Sequence, residues 1–213
     1  MEGLIGSRDP KNITSLNLAC KGLTFLPPEI VQLRNLQILS LDKNRLASLP
    51  AEIVQLRNLQ ILWFESNQLT SLSSEICQLS NLRELYLDNN QLTSLPAEIG
   101  QLRNLQILWF DKNRLTSLPA EIGQLCNLQV LWLKSNQLTS LPAEIGQLRN
   151  LRELWLDNFL NIKTDEGGAL NIRTLVRLRR PSYIPDKNIT VLQKNRRRKI
   201  TLLHLEATIS YAG

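Results

Sequence analysis

Apolar residues return along this chain in two alternating rhythms. From Leu36 the sequence reads LQILSLDKNRLASLPAEIVQLRN and then begins again at Leu59, a period of 23 residues. In the first part, Leu39 and Leu41 flank Ser40. This is the two-residue alternation of a strand, with the leucines turned inward and Ile38, Ser40 and Asp42 turned outward. In the second part, Ile53 and Leu56 stand three apart and share one face of a helical turn. Pro50 suits the first helical position, and Glu52 suits the positive end of a helix dipole. Pro96, Pro119 and Pro142 repeat that start, as do Glu98, Glu121 and Glu144. Copies begin at Ile13, Leu36, Leu59, Leu82, Leu105 and Leu128, with a truncated one at Leu151, on the shared pattern LxxLxLxxNxLxxLPxEIxxLxx.

One such repeat cannot bury its own leucines, but a stack of them can, so stability should be shared across neighbour interfaces. An Asn column (Asn44, Asn67, Asn90, Asn113, Asn136) runs through the copies and breaks to Lys21 at one end and Phe159 at the other. An amide both donates and accepts, so it can satisfy backbone groups where the chain turns beneath each strand. A second similarity repeats every 69 residues: DKNRL after Leu36 and Leu105, SNQL after Leu59 and Leu128, LREL from Leu82 and Leu151. It points to duplication of a three-repeat block.

Over residues 13–162 the pattern resembles the leucine-rich-repeat family, in its 23-residue LPxEIxxL class common in bacterial proteins, including secreted effectors. The resemblance implies an α/β leucine-rich-repeat solenoid. It would be a curved arc with parallel strands on the concave face and short helices on the convex face. The expected organisation is a lead-in over 1–12, the repeats over 13–162, and a basic, mostly helical C-terminal cap over 163–213.

The repeat leaves the outward strand positions free to vary. The fifth column reads Trp63, Tyr86, Trp109, Trp132 and Trp155 in consecutive copies and holds every Trp of the chain. The third carries Ile61, Glu84, Ile107 and Val130, and the seventh Glu65, Asp88, Asp111 and Lys134. Core packing does not explain the aromatics, because Leu or Phe (Phe64, Phe110) already fills the inward positions. Two readings stay open. The aromatics either tile and stiffen the sheet or form an interaction site rich in the residues that dominate binding energy. The second reading makes the chain a non-catalytic module that binds a protein partner on its concave face. The partner would offer apolar groups to Trp109 and Trp132, Lys or Arg to Asp88 and Asp111, and a cation to a Trp face.

The net charge of +6 is unevenly placed. Residues 1–162 hold 14 Lys/Arg against 15 Asp/Glu, and residues 163–213 hold 11 against 4. Arg177, Arg179 and Arg180 form one basic cluster of the cap, and Arg196, Arg197, Arg198 and Lys199 another. The second offers phosphate contacts, so nucleic acid or an acidic membrane is the alternative partner; the plainer reading is a solvated basic surface. An acidic concave face argues against DNA lying within the curve.

Catalysis finds no support in the sequence. The single histidine, His204, sits among leucines of the cap, and no P-loop, GxGxxG, HExxH or paired-Cys motif occurs. Some bacterial effectors that this repeat class resembles carry a catalytic Cys after the repeats, but here no Cys follows Cys126. Cys20, Cys77 and Cys126 are odd in number and far apart, which argues against a disulfide framework or a zinc site and for a reducing compartment. No cofactor is expected. The N-terminus lacks the basic start and apolar run of a signal peptide, and no apolar run reaches the roughly 20 residues of a membrane span. A cytoplasmic monomer, or one delivered to a host cytosol without a classical signal, is the expectation.

Overall fold

The structure is a computed structural model that describes residues 5–6 and 9–156. The expected cap, with Arg196, Arg197, Arg198 and Lys199, and Phe159 at the end of the Asn column lie outside the described residues.

Each copy contributes one three-residue strand: β1 Ser15–Asn17, β2 Ile38–Ser40, β3 Ile61–Trp63, β4 Glu84–Tyr86, β5 Ile107–Trp109, β6 Val130–Trp132 and β7 Glu153–Trp155. They form a single parallel sheet in chain order. The register steps by one repeat, Leu39 opposite Leu62 and Leu108 opposite Leu131. Backbone pairing runs on past the strands, with Leu41 N–H donating to Trp63 O and Lys43 N–H to Glu65 O, both at 2.8 Å. The α/β leucine-rich-repeat solenoid expected from the sequence is therefore the fold, and Leu154 of the truncated copy takes its place in β7.

The convex side is built from 3-10 turns, each five residues long between Ala51–Gln55 and Ala143–Gln147. Ile53 N–H donates to Pro50 O, Leu56 N–H to Ile53 O and Leu59 N–H to Leu56 O, at 3.0, 3.0 and 2.9 Å. Successive bonds three residues apart match the three-residue spacing of the apolar side chains, so Ile53 and Leu56 both point inward. One expectation needs correcting. Pro50, Pro96, Pro119 and Pro142 are cap residues, and the turns begin at the Ala that follows. The Pro carbonyl accepts the first bond from an extended backbone near ψ 145°, which suits a cap and not a helical residue. Among the described residues, Pro28, with Pro27 before it, and Pro10 of the short turn Pro10–Asn12 hold the first helical position.

Between strand and turn, the Asn column does what its chemistry allows. Asn44 Oδ1 accepts from Lys21 N and Leu23 N, both at 3.0 Å, and Nδ2 donates to Leu18 O and Leu41 O at 2.9 and 2.8 Å. Asn67, Asn90, Asn113 and Asn136 repeat the arrangement from coil to coil. The residue just before each Asn lies in the left-handed region. Lys43, Ser66, Asn89, Lys112 and Ser135 have φ between +55° and +59°. This reversal swings the Asn amide beneath the strand, and non-glycine residues bear a small strain for it.

A second Asn ladder escaped the sequence reading. At the end of each repeat, Asn58, Asn81, Asn104, Asn127 and Asn150 donate Nδ2 to the carbonyl of the residue 24 earlier, at 2.7 to 2.9 Å. Asn35 does the same to Lys11 O at 2.8 Å, so the coil pattern already operates before Ile13. Its signal was present in the sequence as an invariant last position. Between the two ladders lies one continuous core from Ile5 to Leu151, with Phe64 and Phe110 fully buried in the inward column.

Candidate functional site: the concave aromatic ladder

Parallel in-register pairing places like positions side by side, so the fifth column becomes a row across β3 to β7. The ring geometry changes along it. Trp63 and Tyr86 are tilted, with centroids 6.3 Å apart. Tyr86 meets Trp109 edge-on at 4.7 Å. Trp109 and Trp132 stack at 4.0 Å with planes 4° apart, and Trp132 and Trp155 at 4.5 Å and 19°. All five residues are half-buried, with neighbours covering much of their ring faces. The groove therefore meets a stacked row rather than separate open faces. The indole N–H groups of Trp109 and Trp132 are buried with no acceptor among the described residues.

Beside the row, Ile61, Ile107 and Val130 are half-buried, as are Glu84 and Glu153. Tyr86 Oη donates to Glu84 Oε2 at 2.7 Å, which fixes the phenol over its strand. Burial, and then the Glu84 carboxylate, push the Tyr86 phenol well above its ordinary range. Ser40, the second-coil member of the column, is 4% exposed, so the ladder starts at Trp63.

The seventh column serves the fold more than the sequence reading expected. Asp42 Oδ1 accepts the Glu65 N–H and Asp111 Oδ1 accepts the Lys134 N–H, both at 2.8 Å, each tying one coil to the next. Asp88 is only 5% exposed. Lys134 extends over the Trp155 ring, Nζ 4.6 Å from its centroid, so the chain supplies a cation to one Trp itself. Tertiary packing places the acidic side chains against backbone N–H groups because the parallel sheet brings each carboxylate level with the next coil.

Burial lifts the Asp42 carboxyl from 3.8 to about 6, with the neighbouring Glu65 charge adding to it against the Glu65 N–H and Ser40 hydroxyl. A raised carboxyl pKa means the folded state holds the proton more tightly than the unfolded chain does. The Asp42 contribution to stability is therefore largest below pH 4 and is lost as pH rises through about 6. Asp42→Asn keeps an oxygen for the Glu65 N–H without the buried charge. It is expected to raise stability above pH 6 by about 1 kcal/mol, after allowance for the partial exposure of the group. Urea unfolding at pH 4.0 and 7.5, about two units either side of the transition, measures it: the gain should vanish at the lower pH.

Cys20 and Cys126 are exposed, and Cys77 is buried with its thiol pushed up to about 12 by burial and by Glu98 and Glu75. Among the described residues no group of three or more His, Cys, Asp or Glu stands close enough to hold a metal ion. No described helix is long and apolar enough to cross a membrane.

A stack of similar coils with a parallel concave sheet and a patterned surface defines a repeat solenoid. Family profiles agree: that of the leucine-rich repeat region matches residues 70–183, and that of the leucine rich repeat matches residues 11–69. The chain belongs to the leucine-rich-repeat family. It is 41% identical to a leucine-rich-repeat protein of Leptospira interrogans, with a TM-score of 0.62 over 73% of this chain and 45% of that one. The leucine-rich-repeat domain of the type III effector XopL is 32% identical, with a TM-score of 0.63 over 67% of this chain and 51% of that one. The ectodomain of the Arabidopsis thaliana membrane receptor kinase GASSHO1/SCHENGEN3, solved in complex with CASPARIAN STRIP INTEGRITY FACTOR 2, is 39% identical. Its TM-score is 0.58 over 62% of this chain and 17% of that one. The chain thus spans about half or less of the length of these structures. No curated protein matched.

Proposed function

We propose that the chain is a non-catalytic interaction module whose concave face binds a partner protein along the aromatic ladder. The observation that carries this reading is the row Trp63, Tyr86, Trp109, Trp132 and Trp155, half-exposed on the sheet of a family that generally mediates protein–protein contacts. A row of large rings offers apolar area at low entropic cost, and the stripe of Ile61, Ile107 and Val130 widens it. The stacked geometry favours a partner that lays aliphatic or aromatic side chains along the ring edges. Cation contacts on the Trp faces are disfavoured, because neighbouring rings and Lys134 already cover them. Glu65, Glu84, Asp111 and Lys134 would rim the contact, while Asp88 belongs to the interior. Similarity to an effector's repeat domain supports the narrower reading that the partner is a host protein met in a cytosol.

Affinity capture from cell lysate at low and high salt tests the reading. Each of Trp109→Ala and Trp132→Ala is expected to weaken a partner by about 2 kcal/mol, roughly thirtyfold, with little dependence on salt. The paired Trp→Phe changes should retain most of the binding, since they keep a stacked ring and remove only donors that have no acceptor. Partner affinity unchanged in the double Ala variant would remove the ladder from the interface.

A further inference from the structure

The near balance of charge over residues 1–162 conceals a sharp segregation. At the edge where the convex turns lead back into the strands, the chain runs through 32–37, 55–60, 78–83, 101–106, 124–129 and 147–152. These segments hold no carboxylate and no aromatic residue. They carry Arg34, Arg57, Arg83, Arg103, Arg149 and Arg152, all exposed. Lys11 occupies the same place one coil earlier and is also exposed. Together these are seven of the 14 cations of residues 1–162. Where Ser80 interrupts the Arg column, Arg83 restores the charge three residues later. None of the seven makes an ion pair among the described residues.

The row is also held in place. The second Asn ladder grips the backbone at these positions, Asn58 on Arg34 O at 2.9 Å, Asn81 on Arg57 O and Asn127 on Arg103 O at 2.8 Å. The charged side chains therefore spring from a rigid line at whole-coil steps of roughly 4.8 Å, about 29 Å from Lys11 to Arg149, with uncharged Ser80 and Cys126 in two of its seven places. Exposed Gln32, Gln55, Gln101 and Gln147 run alongside and add neutral donors. The opposite edge is different: there Lys43, Arg45, Lys112 and Arg114 are interleaved with Asp42 and Asp111.

We propose that this Arg edge docks the sugar-phosphate backbone of duplex nucleic acid, without reading its sequence. A row of cations set at whole-coil intervals along one edge complements an extended polyanion better than an aperiodic protein surface. Arg binds phosphate oxygens in bidentate fashion. The lack of aromatic residues on the edge removes the stacking platforms that single strands use. The site is separate from both the concave ladder and the C-terminal basic clusters.

Fluorescence anisotropy of the full chain with a labelled, mixed-sequence DNA duplex, titrated with salt, tests it. The combined Arg34→Gln, Arg57→Gln, Arg103→Gln and Arg149→Gln variant removes four contacts. It is expected to flatten the slope of log affinity against log salt by about 3.6. These side chains are exposed, and the fold uses their backbone groups, so the variant should keep the parent circular dichroism. Lys43→Gln, Arg45→Gln, Lys112→Gln and Arg114→Gln remove the same charge from the opposite edge and should change the slope far less. Trp109→Ala with Trp132→Ala should bind duplex as the parent does, which separates this site from the concave face. An unchanged slope in the Arg variant, or an equal loss in the opposite-edge variant, overturns the proposal. So does a loss seen only when Arg196, Arg197, Arg198 and Lys199 are replaced, or capture by anionic vesicles with no duplex binding.

Discussion

Asn113→Ala is expected to lower the unfolding free energy by about 4 kcal/mol, close to the loss of a whole buried hydrogen-bonding network. The amide of Asn113 sits beneath β5, 6% exposed. Its Oδ1 accepts the Leu92 N–H at 3.0 Å, and its Nδ2 donates to Leu87 O and Phe110 O at 2.9 and 3.1 Å. Alanine leaves the Leu92 N–H with no acceptor in a place that water does not reach, and removes one side-chain donor from each of two carbonyls, Leu87 O keeping Asn90 Nδ2 and Phe110 O keeping Asn136 Nδ2. The orphaned N–H costs about 1–3 kcal/mol, and each of the two lost donor bonds about 1 kcal/mol more. Because the groups belong to adjacent coils, the change weakens the interface between them, and in a solenoid stability resides in those interfaces. Asn136→Ala is the matched control. Asn136 makes equivalent bonds to Leu115 N, Phe110 O and Leu133 O but is only half-buried, so water can replace part of them. Its cost should be about half as large. Equilibrium urea unfolding followed by Trp fluorescence measures both; equal costs would mean that burial is not what gives the ladder its weight.

Gly123→Ala is expected to cost about 3 kcal/mol, unusually much for one methyl on a convex surface. A Cβ there would stand 2.5 Å from Glu144 O and 2.8 Å from Glu144 Cβ, in the 3-10 turn of the next coil. A backbone carbonyl cannot rotate aside, so the turns must move apart and the leucines between them lose contact. Gly100 is under similar pressure from Glu121 O at 2.8 Å. The same column holds Val31, Val54 and Cys77 in the earlier coils, where side chains keep the turns separated. Among the described residues, Gly146 meets nothing within 4 Å. Gly146→Ala should therefore be neutral, or stabilise by about 0.5 kcal/mol through the unfolded chain. The same urea experiment separates the two. A Gly123→Ala variant as stable as the parent would show that adjacent turns can part freely, and the column would then carry no packing constraint.

The sequence by itself determined the coil. A 23-residue period of Leu, Asn and Ile in fixed places leaves one way to bury so many leucines, and parallel strands in steps of one repeat follow from it. The columns of the concave face were legible for the same reason: in a stack with constant register, sequence spacing becomes spatial adjacency. Three things were decided only by tertiary structure. The Trp rings close on one another because their strands are about 4.8 Å apart, near the thickness of a stacked pair, so the ladder offers edges where isolated side chains would offer faces. Asp42 and Asp111 turn to backbone N–H groups of the next coil, which no pattern within a single repeat reveals. The Arg edge emerges only when residues from two different columns, Arg103 and Arg83 among them, are brought to one margin of the arc. In each case the sequence specifies which side chain stands in a column. The neighbouring coil, acting through distances of a few ångströms, specifies which of its atoms remain free.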